Sequence, residues 1–156
     1  MAESWDFMGF LTETAPALTR YCAAIAGCAD GEDAAQEALI RTWQHRDRIP
    51  GEAAAAAFAY RTAYRLCVDL LRRRKRERAA WEELTDRGNP SAESFSERTA
   101  HALRQLTPCD RAIVYSRVVE EMPYSRIAAR FGKTEAWVRK RYSLARKKLE
   151  KTLGKE

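Results

Sequence analysis

Histidine and cysteine are scarce in this chain of 156 residues, which has two of the first and four of the second. Cys22, Cys28, Cys67 and Cys109 form no Cys-x-x-Cys pair, and His45 and His101 stand apart from them. Zinc would find no set of closely spaced ligands, and no metal or cofactor is expected. The N-terminus, Met1 to Phe10, is acidic rather than signal-like, so a disulfide framework is not expected either. Cys22 and Cys67 lie among apolar residues and read as small buried hydrophobes. Glycine (7) and proline (5) are also few, while alanine, arginine, leucine and glutamate abound, which favours helix over sheet. No apolar run approaches the roughly 18 residues of a membrane span, so no membrane partner is expected and the chain reads as soluble and cytoplasmic. A paired-carboxylate motif, a glycine-rich phosphate loop and a nucleophile elbow are all missing, and no enzyme is expected.

What is present is an ample core and an uneven charge. Hydrophobic residues make up 46% of the chain, and the formal charge is +6. Residues 1–55 carry 4 basic and 9 acidic side chains, residues 56–78 carry 8 and 2, residues 79–99 carry 2 and 5, and residues 100–156 carry 14 and 6. Two basic blocks alternate with two acidic ones, so different segments face different partners. The stretch 79–99 is acidic and is broken by Gly88, Asn89, Pro90 and Ser91. It reads as a linker between two helical domains, 1–78 and 100–156, in an all-α fold.

In the first domain, Phe7, Phe10 and Leu11 open a helical pattern, and Pro16 is expected to begin a new helix that ends at Gly27. Asp30 is expected to cap the next helix, which runs from Glu32 to about His45. That helix carries Ala35, Leu39, Thr42 and Trp43 on one side and Asp33, Gln36, Glu37, Ile40 and Arg41 on the other. Trp43 is assigned to the core. After a loop, His45 to Gly51, an alanine-rich run opens a long helix from Ala53 to about Arg78. Phe58, Thr62, Leu66 and Leu70 mark its expected buried stripe, and Arg61, Arg65, Arg72 and Arg76 its opposite face, with Tyr60 and Tyr64 alongside. Arginines interleaved with tyrosines suit single-stranded nucleic acid, because bases stack on rings while cations follow the backbone. A solvated helix end, favoured by the macrodipole, is the plainer alternative.

In the second domain, Thr107-Pro108-Cys109-Asp110 is a helix start, with threonine capping and proline at the first position. Ile113, Val114, Val118 and Val119 are its expected apolar residues, and Met122-Pro123 ends it. A short helix from Tyr124 to Phe131 then meets Gly132, which supplies a tight left-handed turn. Thr134 caps a last helix with Val138, Tyr142, Ala145 and Leu149 inward and Glu135, Arg139, Lys140, Ser143, Arg146 and Lys147 outward. This is the grammar of a helix-turn-helix reading the DNA major groove. A basic helix in a protein-interaction module is the alternative.

Together the halves resemble the sigma-70 family of bacterial RNA polymerase initiation factors, most of all its extracytoplasmic-function (ECF) group. Gly31 to Trp43 is similar to the family's Asp-x-Val-Gln-Glu-x-Phe-x-x-x-Trp segment, and Phe58 to Arg74 to the helix that melts and reads the −10 element. Leu106 to Leu149 is similar to region 4. The resemblance implies a sigma factor that recruits core RNA polymerase, reads promoter DNA as −35 duplex and −10 single strand, and is held in many relatives by an anti-sigma factor. It implies docking on core polymerase by Asp33, Gln36, Glu37 and Arg41. It implies −10 contacts from His45, Arg46, Arg48, Tyr60, Arg61, Arg65, Arg72 and Arg73, and −35 contacts from Trp137, Arg139, Lys140, Arg141, Ser143 and Arg146. Phe58, Arg65 and Trp137 depart from the family's usual Trp, Asn and Thr. A free-standing helix-turn-helix regulator is the alternative function, and the Asp33–Trp43 segment is what such a regulator has no reason to carry.

Overall fold

The computed structural model describes residues 5–81 and 97–154, and these fold entirely into helices and short connections. Most of the expected linker, residues 82–96, lies outside the described residues. The first half is a three-helix unit: α1 (Phe7–Ala26), α2 (Cys28–Gln44) and α3 (Glu52–Trp81), with a single 3-10 turn at Arg46–Arg48 between the last two. The second half holds α4 (Glu97–Arg104), α5 (Pro108–Val114) running into a π-helical turn at Tyr115–Val119, α6 (Tyr124–Phe131) and α7 (Glu135–Leu153). Residues 97–99, expected to be linker, are the first turn of α4.

Several start and stop signals act as read. Thr107 accepts a hydrogen bond from the Asp110 N–H at 3.2 Å, and Thr134 one from the Trp137 N–H at 3.1 Å. Gly132 sits at φ 64°, the left-handed conformation that lets α6 turn sharply into α7. Two signals in the first half act differently. Pro16 lies inside one continuous α1 rather than opening a second helix. The lost backbone bond, about 3 kcal/mol, is outweighed because Phe10 before it and Leu18, Tyr21, Cys22 and Ile25 after it are all buried along the same helix. The cap of α2 is Gly27, at φ 95°, and Asp30 lies within the first turn. There it meets the positive end of the helix dipole and pairs with Arg74 of α3 at 2.8 Å.

The apolar face of α3 is turned by one position from the expected stripe. Ala55, Ala59, Ala63 and Cys67, together with Tyr60, are buried, while Phe58, Thr62, Leu66 and Leu70 are only half-buried. Small alanines let α3 approach α1 and α2 closely, and the larger side chains fill the flanks. Val118 and Val119 are exposed, not buried, at 56% and 52%. The π-helical turn, closed by a Glu120 N–H bond to the Tyr115 carbonyl at 3.2 Å, rotates them away from the core that holds Ile113 and Val114.

The two halves share one core. Ala112 and Tyr115 join Leu18, Tyr21, Cys22, Tyr60 and Cys67 in a single buried cluster, with Phe131 packed against it. A buried guanidinium lies at this seam, bonded within the second half and stacked on rings of the first. Arg130 of α6 donates to Ser116 Oγ at 2.8 Å and to Glu120 at 2.7 Å, and it lies 3.5 Å above the Tyr60 ring and 5.0 Å from the Tyr21 ring. Arg111 of α5 donates to the Ile25 carbonyl, one of the open carbonyls at the end of α1. Burial lowers the Arg111 pKa, and nearby Arg104 lowers it further.

Candidate polymerase-docking and promoter-reading surfaces

The α2 residues Ala34, Ala35, Ala38 and Thr42 are buried, which turns Asp33, Gln36, Ile40 and Arg41 outward with Glu37 half-exposed among them. Glu37 and Arg41 pair at 2.9 Å, one helical turn apart. Ile40 is 50% exposed in the middle of this face. An acidic surface with an exposed apolar centre repels nucleic acid and suits a protein partner. The four residues expected to dock on a protein therefore lie on one face.

The residues expected to hold the −10 strand divide into separate groups. His45, Arg46 and Arg48 lie on the connection between α2 and α3, and the His45 ring packs 5.1 Å from Phe58. Arg46 stacks 3.9 Å over Trp43, which is 37% exposed rather than buried in the core. The cation above the ring and Phe7 at 5.8 Å give the indole enough contact at the surface. Arg61 and Arg65 follow on the exposed face of α3. Tyr60 is elsewhere: it is 5% exposed, beneath the Arg130 guanidinium and 4.8 Å from Tyr21. Burial pushes its phenol pKa up to about 12, against an opposing pull from Arg130. Arg72 and Arg73 lie about 17–18 Å beyond Arg61 along the helix axis at 1.5 Å per residue, beside the α2 carboxylates Asp33 and Glu37.

The outward face of α7 carries the residues expected to read the −35 duplex. Arg139 is exposed, pairs with Glu135 at 3.3 Å and lies 4.8 Å from the Tyr124 ring. Arg117 lies on the same ring at 4.2 Å, so the Tyr124 ring is a shelf shared by two guanidinium groups. Lys140 and Ser143 are exposed, and Arg146 pairs with Glu150 at 3.0 Å. Arg141 instead bonds Asp110 of α5 at 3.0 Å and lies 5.2 Å from Trp137, and Trp137 packs 5.9 Å from Phe131. These two tie α7 to its neighbours as well as bordering its outer face.

Sequence reasoning missed Tyr124 as the support of Arg139, and Arg130 as the seal of the seam. The only signal for Arg130 was its place in α6 between buried Ile127 and Ala128 and half-buried Phe131. No group of three or more His, Cys, Asp or Glu side chains able to hold a metal occurs among the described residues, and no helix there is long and apolar enough to cross a membrane. The pKa of the Cys22 thiol is pushed up by its hydrogen bond with Cys67 and by burial.

The family model for Sigma-70 region 2 matches residues 10–77, and that for Sigma-70, region 4 matches residues 96–149. A solved chain from the co-crystal structure of the sigma factor RpoE in complex with the anti-sigma factor NepR from Bartonella quintana is similar in fold. Its identity is 21% and its TM-score 0.76, over 96% of this chain and 97% of that one. No curated protein matches the sequence.

Proposed function

The chain belongs to the sigma-70 family, and from that premise we propose that it is an ECF-type sigma factor, a specificity subunit with no reaction of its own. It binds core RNA polymerase through the α2 face, directs it to promoters and helps to open the −10 element. The observation that carries this reading is the order of the two matched regions, 2 and then 4, in one chain whose α2 presents Asp33, Gln36 and Glu37 outward. A regulator that only bound DNA would gain nothing from such an acidic face.

Each surface has its part. His45, Arg46 and Arg48 on the α2–α3 connection and Arg61 and Arg65 on the N-terminal half of α3 hold unpaired bases, and capture of a flipped base offsets the few kcal/mol of unstacking. Arg139, Lys140 and Ser143 reach base edges in the −35 major groove, and Arg146 reaches phosphate beside them. The Tyr124 shelf and Glu135 hold the Arg139 guanidinium in place before binding, which lowers the entropy lost on contact. The similar solved chain comes from a complex with an anti-sigma factor, which supports an inhibitor of that kind as a further partner here. The work is done in the cytoplasm.

Transcription in vitro with purified core polymerase over a promoter library tests the proposal. Specific transcripts should appear only when the chain is added. Replacing Gln36 by alanine together with Glu37→Lys should strip the chain from core polymerase, and unchanged co-purification would sink the docking assignment. Arg139→Ala should relax preference at one −35 position by about 1–3 kcal/mol. An equal loss on every promoter would make Arg139 a phosphate contact instead.

A further inference from the structure

The arginine run that ends α3 shares a groove with the acidic face of α2. We infer that Arg72, Arg73 and Arg76 form the second wall of the polymerase-docking surface and take no part in holding promoter DNA. The inference rests on the docking reading of Asp33 and Glu37 and extends it to residues that composition alone assigns to nucleic acid.

The groove has a volume of about 650 Å³ and runs between α2 and the C-terminal half of α3. Asp33 and Glu37 stand on its α2 side, Asp69 on its α3 side, and the three arginines at its far end. Leu66 and Leu70, both half-buried, supply an apolar floor. Arg74, the remaining arginine of the run, pairs with Asp30 at 2.8 Å and so fixes the end of α3 against the start of α2. The wall is thus held in register with the carboxylates.

Charge decides which partner fits. At physiological salt a charge is felt over about 8 Å, so a nucleic-acid strand drawn to the arginines would also meet the field of Asp33 and Asp69, with Glu37 already paired to Arg41 beside them. A protein helix meets no such conflict. The helix that fits lays an apolar stripe on Leu66 and Leu70, basic side chains toward Asp33 and Glu37, and acidic ones toward Arg72, Arg73 and Arg76. A helical element of core polymerase with charges of both signs is the occupant. The −10 strand keeps the connection before α3 and its N-terminal half, at His45, Arg46, Arg48, Arg61 and Arg65.

The test uses the full chain carrying Arg72→Glu, Arg73→Glu and Arg76→Glu together, a matching triple Gln variant, and Glu37→Lys. All the altered side chains are at the surface, and circular dichroism melts confirm that each variant folds. Core-polymerase affinity is measured by titration, and the salt dependence of promoter binding is measured at saturating core. The triple Glu variant should bind core at least about tenfold more weakly, the Gln variant should fall between it and the native chain, and the promoter salt slope should stay unchanged. A slope reduced by roughly 0.7 or more, the value of one single-strand phosphate contact, would overturn the inference. So would native core affinity in the triple Glu variant. In either case Glu37→Lys reports separately on the docking reading: if it weakens core binding, that reading stands and only the arginine wall falls.

Discussion

Arg130→Ala is expected to destabilise the chain by about 3–5 kcal/mol, the usual cost of breaking a buried ion pair from one side. Arg130 is 7% exposed, and the Glu120 side chain it pairs with is 15% exposed. Alanine would leave that carboxylate without its cation, remove the donor to Ser116 Oγ, and open a void over the Tyr60 ring. The stacked guanidinium adds about 2 kcal/mol when it is desolvated, as here. Urea denaturation followed by circular dichroism measures the loss. Arg130→Lys should recover only part of it, because an ammonium keeps the charge but cannot both lie flat on Tyr60 and bond Ser116 and Glu120. A loss below about 1 kcal/mol, the scale of a surface pair, would show that these contacts, two inside the second half and the stacking on Tyr60 across the seam, do not stabilise the chain.

Gly31→Val is the second large effect, about 2–3 kcal/mol. Gly31 is buried in the first turn of α2 where it meets α1. A Cβ there would stand 2.6 Å from the Ala23 nitrogen and 2.7 Å from the Ala23 Cα and the Cys22 carbonyl carbon. These are backbone atoms, so the whole α1–α2 pair must splay. Helix propensity argues the other way, since replacing an interior glycine usually gains up to about 1 kcal/mol, but the contact distances make steric strain the larger effect. Thermal melts decide between them, with Gly31→Ala as the milder arm. If Gly31→Ala proves neutral or stabilising, the close crossing is not the controlling feature. Because Asp33 is only two residues on, Gly31→Val should also weaken capture by core polymerase.

Much of the fold is legible in the sequence where one residue acts on its own neighbours. Thr107 and Thr134 cap whatever follows them, Gly132 alone fits its left-handed turn, and Cys22 and Cys67 are buried where apolar neighbours foretold it. The misplacements occur where distant residues decide. Pro16 should break a helix on local grounds, but burial on both sides of it keeps α1 whole. The stripe on α3 falls on its alanines because two other helices press against it, and period alone cannot tell a small residue at a crossing from a large one beside it. Val118 and Val119 turn outward because one extra residue enters the turn after α5. Of the site residues, those on the outer faces of α2 and α7 are where periodicity puts them. Tyr60 is not, because the partner that covers it, Arg130, comes seventy residues later.

The shared core of the two halves bears on how far the molecule can reach. A compact body of 156 residues has a radius of gyration of about 15 Å, whereas sites at −10 and −35 are 25 base pairs apart, about 85 Å along the duplex at 3.4 Å per pair. If α3 holds the −10 strand and α7 reads the −35 duplex, as proposed, the sealed form cannot touch both, and the seam between α3 and α6 has to part before a promoter is read at two points. Its strength is then subtracted from promoter affinity, because only the parted fraction is competent. A seam worth about 3 kcal/mol would hold that fraction below about 1%. At Arg130, therefore, the durability of the free chain and its readiness for DNA are opposed, and a weaker seal should make a shorter-lived protein that engages promoters more easily.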